Sequence, residues 1–172
     1  MSLETALIIP VPAAEPIVGA HRARFDRAAT WGIPAHVTVL YPFLPLSEIR
    51  TAALAALFRR FAPFTARFDE IRWFEPRVVW AAPTPAAAFR ELTTAVWEQY
   101  PAAPPFRGEF ADIVPHLTIG HDAPREDLHA AGQDVAARLP FTAEITSVDL
   151  VAGLTGSRPW QTVAGFRLGS VS

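Results

Sequence analysis

No cysteine and no lysine occur in the 172 residues, and the one methionine is the first residue. Without thiols there is no cysteine nucleophile, no zinc–thiolate or iron–sulfur ligation and no disulfide. Without lysine there is no Schiff-base amine and no phosphate loop of the Gly-Lys type. Charge is sparse as well: 19% of the chain, with 15 basic residues, all arginine, against 17 acidic ones and a net charge of -2. No basic block stands out, so sequence-blind binding of long nucleic acid is not expected, because it requires many cations on one face. The first apolar run is short: Ala6 to Ile9 is stopped by Pro10 and Pro12, and no basic stretch precedes it. Nothing approaches the roughly 18 apolar residues of a membrane span. The expectation is a cytoplasmic chain with no membrane and no obligate protein partner.

What is abundant is apolar side chain, 51% of the sequence, together with 17 prolines. A chain of this length buries about two thirds of its unfolded surface, enough for one domain. Apolar periodicity predicts strands over 3–10, 36–43, 64–74, 78–82, 116–122, 141–154 and 160–169. Helices are predicted over 14–29, from Ser47 as N-cap through 61, over 86–100 and over 125–139. Residues 101–115, with Phe106, Arg107 and Phe110, form a long irregular connection, a candidate lid.

An internal repeat is visible. His36-Val37-Thr38-Val39 matches His116-Leu117-Thr118-Ile119, and after a helix in each case Pro63-Phe64-Thr65-Ala66 matches Pro140-Phe141-Thr142-Ala143. Pseudo-repeats of about 1–75 and 76–172 within one bilobal domain follow. Alternating strands and helices then predict an α+β protein with two antiparallel-containing sheets around a central cleft and helices outside. Strand alternation puts His36 and Thr38 on one face and Val37 and Val39 on the other, and likewise His116 and Thr118 against Leu117 and Ile119. Two imidazoles and two hydroxyls around one point suit phosphoryl chemistry. One imidazole takes a proton from water, the other gives one to the departing oxygen, and the hydroxyls stabilise the phosphate charge. A duplicated structural strand would carry the same residues.

Gly32-Ile33-Pro34-Ala35-His36-Val37-Thr38-Val39-Leu40-Tyr41-Pro42-Phe43 and Ile113-Val114-Pro115-His116-Leu117-Thr118-Ile119-Gly120 resemble the paired His-x-Ser/Thr-hydrophobic signatures of the 2H phosphoesterase family, the 2'-5' RNA ligase-like proteins. The ending from Pro159 to Gly169 resembles the terminal strand of bacterial members. The resemblance implies a bilobal fold with both motifs in a central cleft and metal-independent hydrolysis of a cyclic phosphodiester, such as a 2',3'-cyclic phosphate. It implies His36 and His116 as the catalytic pair, the first as acid and the second as base, and Thr38 and Thr118 as phosphate ligands. Neither cofactor nor metal is expected, and the partner is a small nucleotide or RNA terminus as substrate. The alternative is a nucleotide or RNA-end binding module with little chemistry.

Four residues are further candidates for substrate contact. Tyr41 shares the strand parity of Val37 and Val39, which favours a packed aromatic over a ligand. Phe43, like Trp31, flanks the first motif strand and is a candidate wall of the cleft mouth. Arg158 and Trp160, in the loop before the last strand, read either as a clamp for phosphate and base or as a surface turn followed by a core-anchoring tryptophan.

Overall fold

Alternating or continuous apolar runs become eight strands among the described residues: β1 (Leu3–Pro10), β2 (His36–Leu40), β3 (Phe64–Phe74), β4 (Val78–Thr84), β5 (Leu117–His121), β6 (Phe141–Ile145), β7 (Ser147–Leu154) and β8 (Gln161–Arg167). In the computed structural model, which describes residues 3–109, 111–154, 156 and 159–169, they form one antiparallel sheet in the order β6-β3-β4-β5-β2-β1-β7-β8. The inner strands β1 and β4 are buried along most of their length, whereas β8 at one edge is mostly exposed. The expected two sheets are therefore one. Pairing of β2 with β5 at Val37 and Leu117 joins the two four-stranded halves of the sheet, β6-β3-β4-β5 and β2-β1-β7-β8. Left apart, each motif strand would present an edge of unpaired backbone groups.

Helices α1 (Glu15–Phe25), α2 (Arg27–Thr30), α3 (Thr51–Phe58), α4 (Ala86–Gln99) and α5 (Arg125–Ala136) accompany the sheet. The main core gathers Leu7, Ile9, Val37, Leu117, Ile119 and Leu150 from the strands with Val18, Leu54, Phe89 and Leu128 from the helices. The opposite face of β1 and β7 carries a smaller cluster of Ala6, Ile8, Ile33, Val151 and Trp160. No helix of the described residues is long and apolar enough to cross a membrane.

Two helix expectations change. The helix predicted over 14–29 breaks at Asp26, whose backbone is extended and whose carboxylate accepts the Ala28 N–H at 3.1 Å to start α2. Ser47 is not an N-cap: it lies in a 3-10 turn (Leu46–Glu48), Ile49 is extended, and α3 begins at Thr51. The predicted strand over 141–154 is interrupted at Thr146, which gives β6 and β7 different partners, β3 and β1.

The register couples the sequence repeats to each other. Val37 pairs with Leu117, and Ala66 pairs with Ala143, residues that hold the same place in their tetrads. Each motif strand also carries an irregularity one residue beyond its threonine. Ile8 faces Thr38 while Leu7 faces Leu40, so Val39 is the extra residue; Trp80 faces Thr118 while Val79 faces Gly120, so Ile119 is. Bulges of this kind bend a strand and re-aim its side chains, and they recur beside functional sites.

Candidate functional site

Because Val37 opposes Leu117 in an antiparallel pair, His36 comes opposite Thr118 and Thr38 opposite His116, all four on the face away from the main core. The histidines occupy opposite corners of a rectangle and the threonines the other two. In regular pairing, diagonal side chains of this kind stand about 7–8 Å apart, a span that one phosphate group can bridge. Val37 and Leu117 are fully buried, while the four polar residues are half-buried.

Both imidazoles are oriented in the same way. The His36 ring nitrogen Nδ1 lies 2.7 Å from the Pro34 carbonyl, and the His116 Nδ1 lies 2.8 Å from the Val114 carbonyl. A carbonyl only accepts, so Nδ1 carries the hydrogen in each ring, leaving Nε2 with the lone pair that takes a proton. Burial pushes the His36 pKa down from 6.5 to about 4, with the Pro34 carbonyl opposing the shift and Arg22 assisting it. Burial also lowers His116, against the pull of the Val114 carbonyl. In both cases loss of water around the imidazolium outweighs the hydrogen bond that favours it.

Aromatic rings enclose His116. Phe74 meets it edge-on with centroids 4.9 Å apart, Trp80 lies at 5.8 Å, and Phe106 stacks at 6.4 Å. Trp80 faces Thr118 across the sheet, and its buried indole N–H has no hydrogen-bond partner among the described residues. Trp80 and Phe74 are not among the sequence candidates. Their parity in β4 and β3 places them on this face, but only the β4–β5 register reveals which motif they adjoin.

Residues 101–109 and 111–115 run past this wall. Phe106 and Arg107 both have left-handed backbones, with φ of 50° and 57°, which side-chain-bearing residues adopt only when their surroundings compel it. The Phe106 N–H donates to the Tyr41 carbonyl at 2.7 Å, and the Arg107 guanidinium lies 3.7 Å from Glu4. A cavity of about 200 Å³ opens beneath this segment, with Thr38 and His116 on one side and Arg90, Thr94 and Trp97 of α4 on another. Beside it, the Thr93 hydroxyl donates to the carbonyl of the bulged Val39 at 2.7 Å.

The remaining sequence candidates separate. β2 ends at Leu40, so strand parity does not extend to Tyr41: it packs on the Ile8 cluster rather than with Val37 and Val39, and its hydroxyl donates to Glu4 at 2.8 Å. Burial, then that hydrogen bond, pushes the Tyr41 phenol up to about 12. Phe43 is buried in the main core, edge-on to Tyr100. Trp160 is buried and stacks on Trp31 with centroids 6.0 Å apart. A Cβ at Gly153 would overlap the Trp160 ring, a close approach only glycine permits. Arg158 and Phe110 lie outside the described residues. Among the described residues no group of three or more histidine, aspartate or glutamate side chains is arranged to hold a metal ion.

Three comparisons with known proteins bear on this arrangement. No curated protein matches the chain. Solved structures of similar fold include LigT of Escherichia coli complexed with 3'-AMP, 19% identical, covering 98% of this chain and 99% of that one with a TM-score of 0.64. The same protein in apo form is 20% identical, with coverage of 97% and 98% and a TM-score of 0.64. A protein of Thermus thermophilus is 21% identical, with coverage of 97% and 98% and a TM-score of 0.61. The family model described as the 2'-5' RNA ligase superfamily matches residues 9–156, a span that contains both His-x-Thr motifs, and the chain belongs to that superfamily, the 2H phosphoesterases.

Proposed function

We propose that this protein hydrolyses a cyclic phosphodiester, a 2',3'-cyclic nucleotide or RNA end or a related 2'-5' linkage, by acid/base catalysis between His36 and His116. The observation that carries this reading is the diagonal placement of two imidazoles with matching Nδ1–H clamps, each facing a threonine across the β2–β5 pair. In-line displacement needs a base on one side of phosphorus and an acid on the other, and opposite corners provide these. Nε2 of His116 takes the proton of the attacking water, and the imidazolium of His36 gives its Nε2 proton to the departing sugar oxygen. That order follows family precedent. The Thr38 and Thr118 hydroxyls donate to the non-bridging oxygens as their charge grows.

Family membership and ligands of similar folds support a nucleotide-like substrate: the LigT structures include complexes with 3'-AMP, ATP, NADP+ and phosphate. The Val37–Leu117 register, with the paired bulges, supports a duplicated, bilobal arrangement about the β2–β5 pair, in which β3 lies with β4, β5 and β6 and β1 and β2 lie with β7 and β8, so that the two halves of the sheet exchange strands across the division at residue 75.

The test is incubation of the pure protein with 2',3'-cyclic nucleotides, cyclic-phosphate RNA ends and 2'-5' linked oligomers, with products identified by mass and phosphate NMR. Turnover of at least one of them is expected to survive EDTA, because both proton transfers, from water to His116 and from His36 to the leaving oxygen, are carried by imidazoles. Loss of turnover on chelation, restored by one divalent ion, refutes the scheme. Binding without turnover throughout the panel favours the binding-module alternative.

Replacing Thr38 or Thr118 with valine is expected to weaken the transition state by about 1.5–3 kcal/mol each, the worth of a hydrogen bond to a charged group. Shape is nearly kept, and thermal unfolding checks that the fold is retained. Unchanged kcat/KM in both variants means that neither hydroxyl touches the reacting phosphate.

A further inference from the structure

His36 is the first residue of β2, so the direction of its ring depends on residues 33–35, which precede the strand. Their backbone groups are partnered from several directions. The Ile33 N–H donates to the Ala28 carbonyl at 2.9 Å, and the Ile33 carbonyl accepts from the Arg22 guanidinium at 3.0 Å. Pro34 has no N–H, and its carbonyl accepts from His36 itself. The Ala35 N–H donates to the Glu15 carboxylate at 2.6 Å, and the Ala35 carbonyl accepts from the Val11 N–H at 2.8 Å.

Two of these partners are charged side chains of α1, and they belong to one ionic group. Arg22 is 2% exposed, and its Nε donates to Asp26 at 3.0 Å, while Glu15 lies 3.9 Å from the same guanidinium. A buried guanidinium is costly to desolvate, and breaking such a pair costs more than the pair contributes to stability. Its retention at this place is therefore informative: the group grips the strap that carries the Pro34 carbonyl from both sides. The second histidine has no matching support among the described residues. Val114, whose carbonyl clamps His116, is exposed as Pro34 is, but among the described residues no charged side chain is hydrogen-bonded to the backbone of residues 113–115.

We propose that Arg22, with Asp26 and Glu15, is a positioning unit for His36, holding residues 33–35 so that the Pro34 carbonyl fixes the imidazole with its Nε2 toward the cleft. The proposal rests on the reading of His36 as a catalytic residue. Arg22 acts through the strap: it fixes which nitrogen carries the hydrogen and where the other points, and pre-set geometry of this kind is a large part of catalytic rate. The charged or titratable groups that act on His36 are Arg22, Asp26 and His116.

Nitrogen NMR of the histidine rings, alongside kinetics, tests this in the full chain. In Arg22→Gln the His36 ring is expected to lose its fixed Nδ1–H form, while His116 stays as it was. The same variant is expected to lose about tenfold or more in kcat with KM little changed. Glu15→Met, which removes the acceptor for the Ala35 N–H, is expected to act in the same direction, and Glu15→Gln, which keeps an acceptor oxygen, to restore the native ring. A folded Arg22→Gln protein with an unaltered His36 ring overturns the proposal, as does an equal disturbance of both histidines. If Arg22→Gln does not fold, the Glu15 pair decides: identical His36 spectra in Glu15→Met and Glu15→Gln overturn it. If His36→Ala leaves turnover intact, the catalytic reading has failed, and the ring spectra still decide whether Arg22 positions His36.

Discussion

Replacing either His36 or His116 with alanine is expected to lower kcat/KM by about 10²- to 10⁴-fold, the usual contribution of one general acid or base. The two losses are not equivalent. Without His36 the departing sugar oxygen leaves unprotonated, and without His116 the water attacks unassisted. A substrate whose leaving group is a much weaker base needs no proton at departure, so it is expected to rescue His36→Ala in part and His116→Ala hardly at all. Rescue confined to the His116 variant exchanges the two roles. The clamps themselves are alike, since both rings give Nδ1–H to the carbonyl two residues earlier and leave the lone pair on Nε2, so kinetics must establish the order. If neither substitution lowers kcat/KM by even tenfold on any hydrolysed substrate, the assignment of both residues fails.

The site was legible in the sequence to the extent that it follows from strand parity. His36, Thr38, His116 and Thr118 alternate with buried aliphatics, and one antiparallel pair between equivalent residues brings the four to one face. Tyr41 marks where parity stops being informative, because β2 ends one residue earlier and the chain turns. The bulges at Val39 and Ile119 were equally invisible: an extra residue in a strand is defined by the partner strand, not by its own composition. The support of His36 lay further still from sequence reasoning. Arg22 and Glu15 read as polar positions of a helix, and only the return of residues 33–35 past α1 makes them partners of the strap. Trp160 shows the converse case: its residue type fitted two environments, and its stacking on Trp31 over Gly153 depends on contacts between segments that no local pattern displays.

The pH dependence of the proposed reaction is expected to differ from that of two ordinary histidines. Productive encounter requires the acid imidazole protonated and the base imidazole neutral, so kcat/KM rises with pH through the lower macroscopic pKa of the free enzyme and falls through the higher one. Unperturbed rings would put both near about 6.5. Burial lowers His36 to about 4 and lowers His116 as well, so above pH 7 both rings of the free enzyme are mostly neutral and the form carrying the needed proton is scarce. The maximum of kcat/KM is therefore expected on the acid side of about 6.5, with a fall approaching tenfold per pH unit along the alkaline limb. Bound substrate changes the balance, since a phosphate anion beside Nε2 favours the imidazolium that burial disfavours. The alkaline limb of kcat is thus expected at higher pH than that of kcat/KM. Each single variant keeps one limb: His36→Ala, lacking the acid, is expected to retain the rise with pH and lose the fall, and His116→Ala to retain the fall and lose the rise. The measurement is kcat and kcat/KM for one hydrolysed substrate from about pH 4 to 9 in buffers of constant ionic strength, for the native protein and both variants. A kcat/KM maximum above pH 7, or a kcat alkaline limb at lower pH than that of kcat/KM, contradicts an acid/base pair whose protons are governed by burial in the free enzyme and by phosphate in the complex.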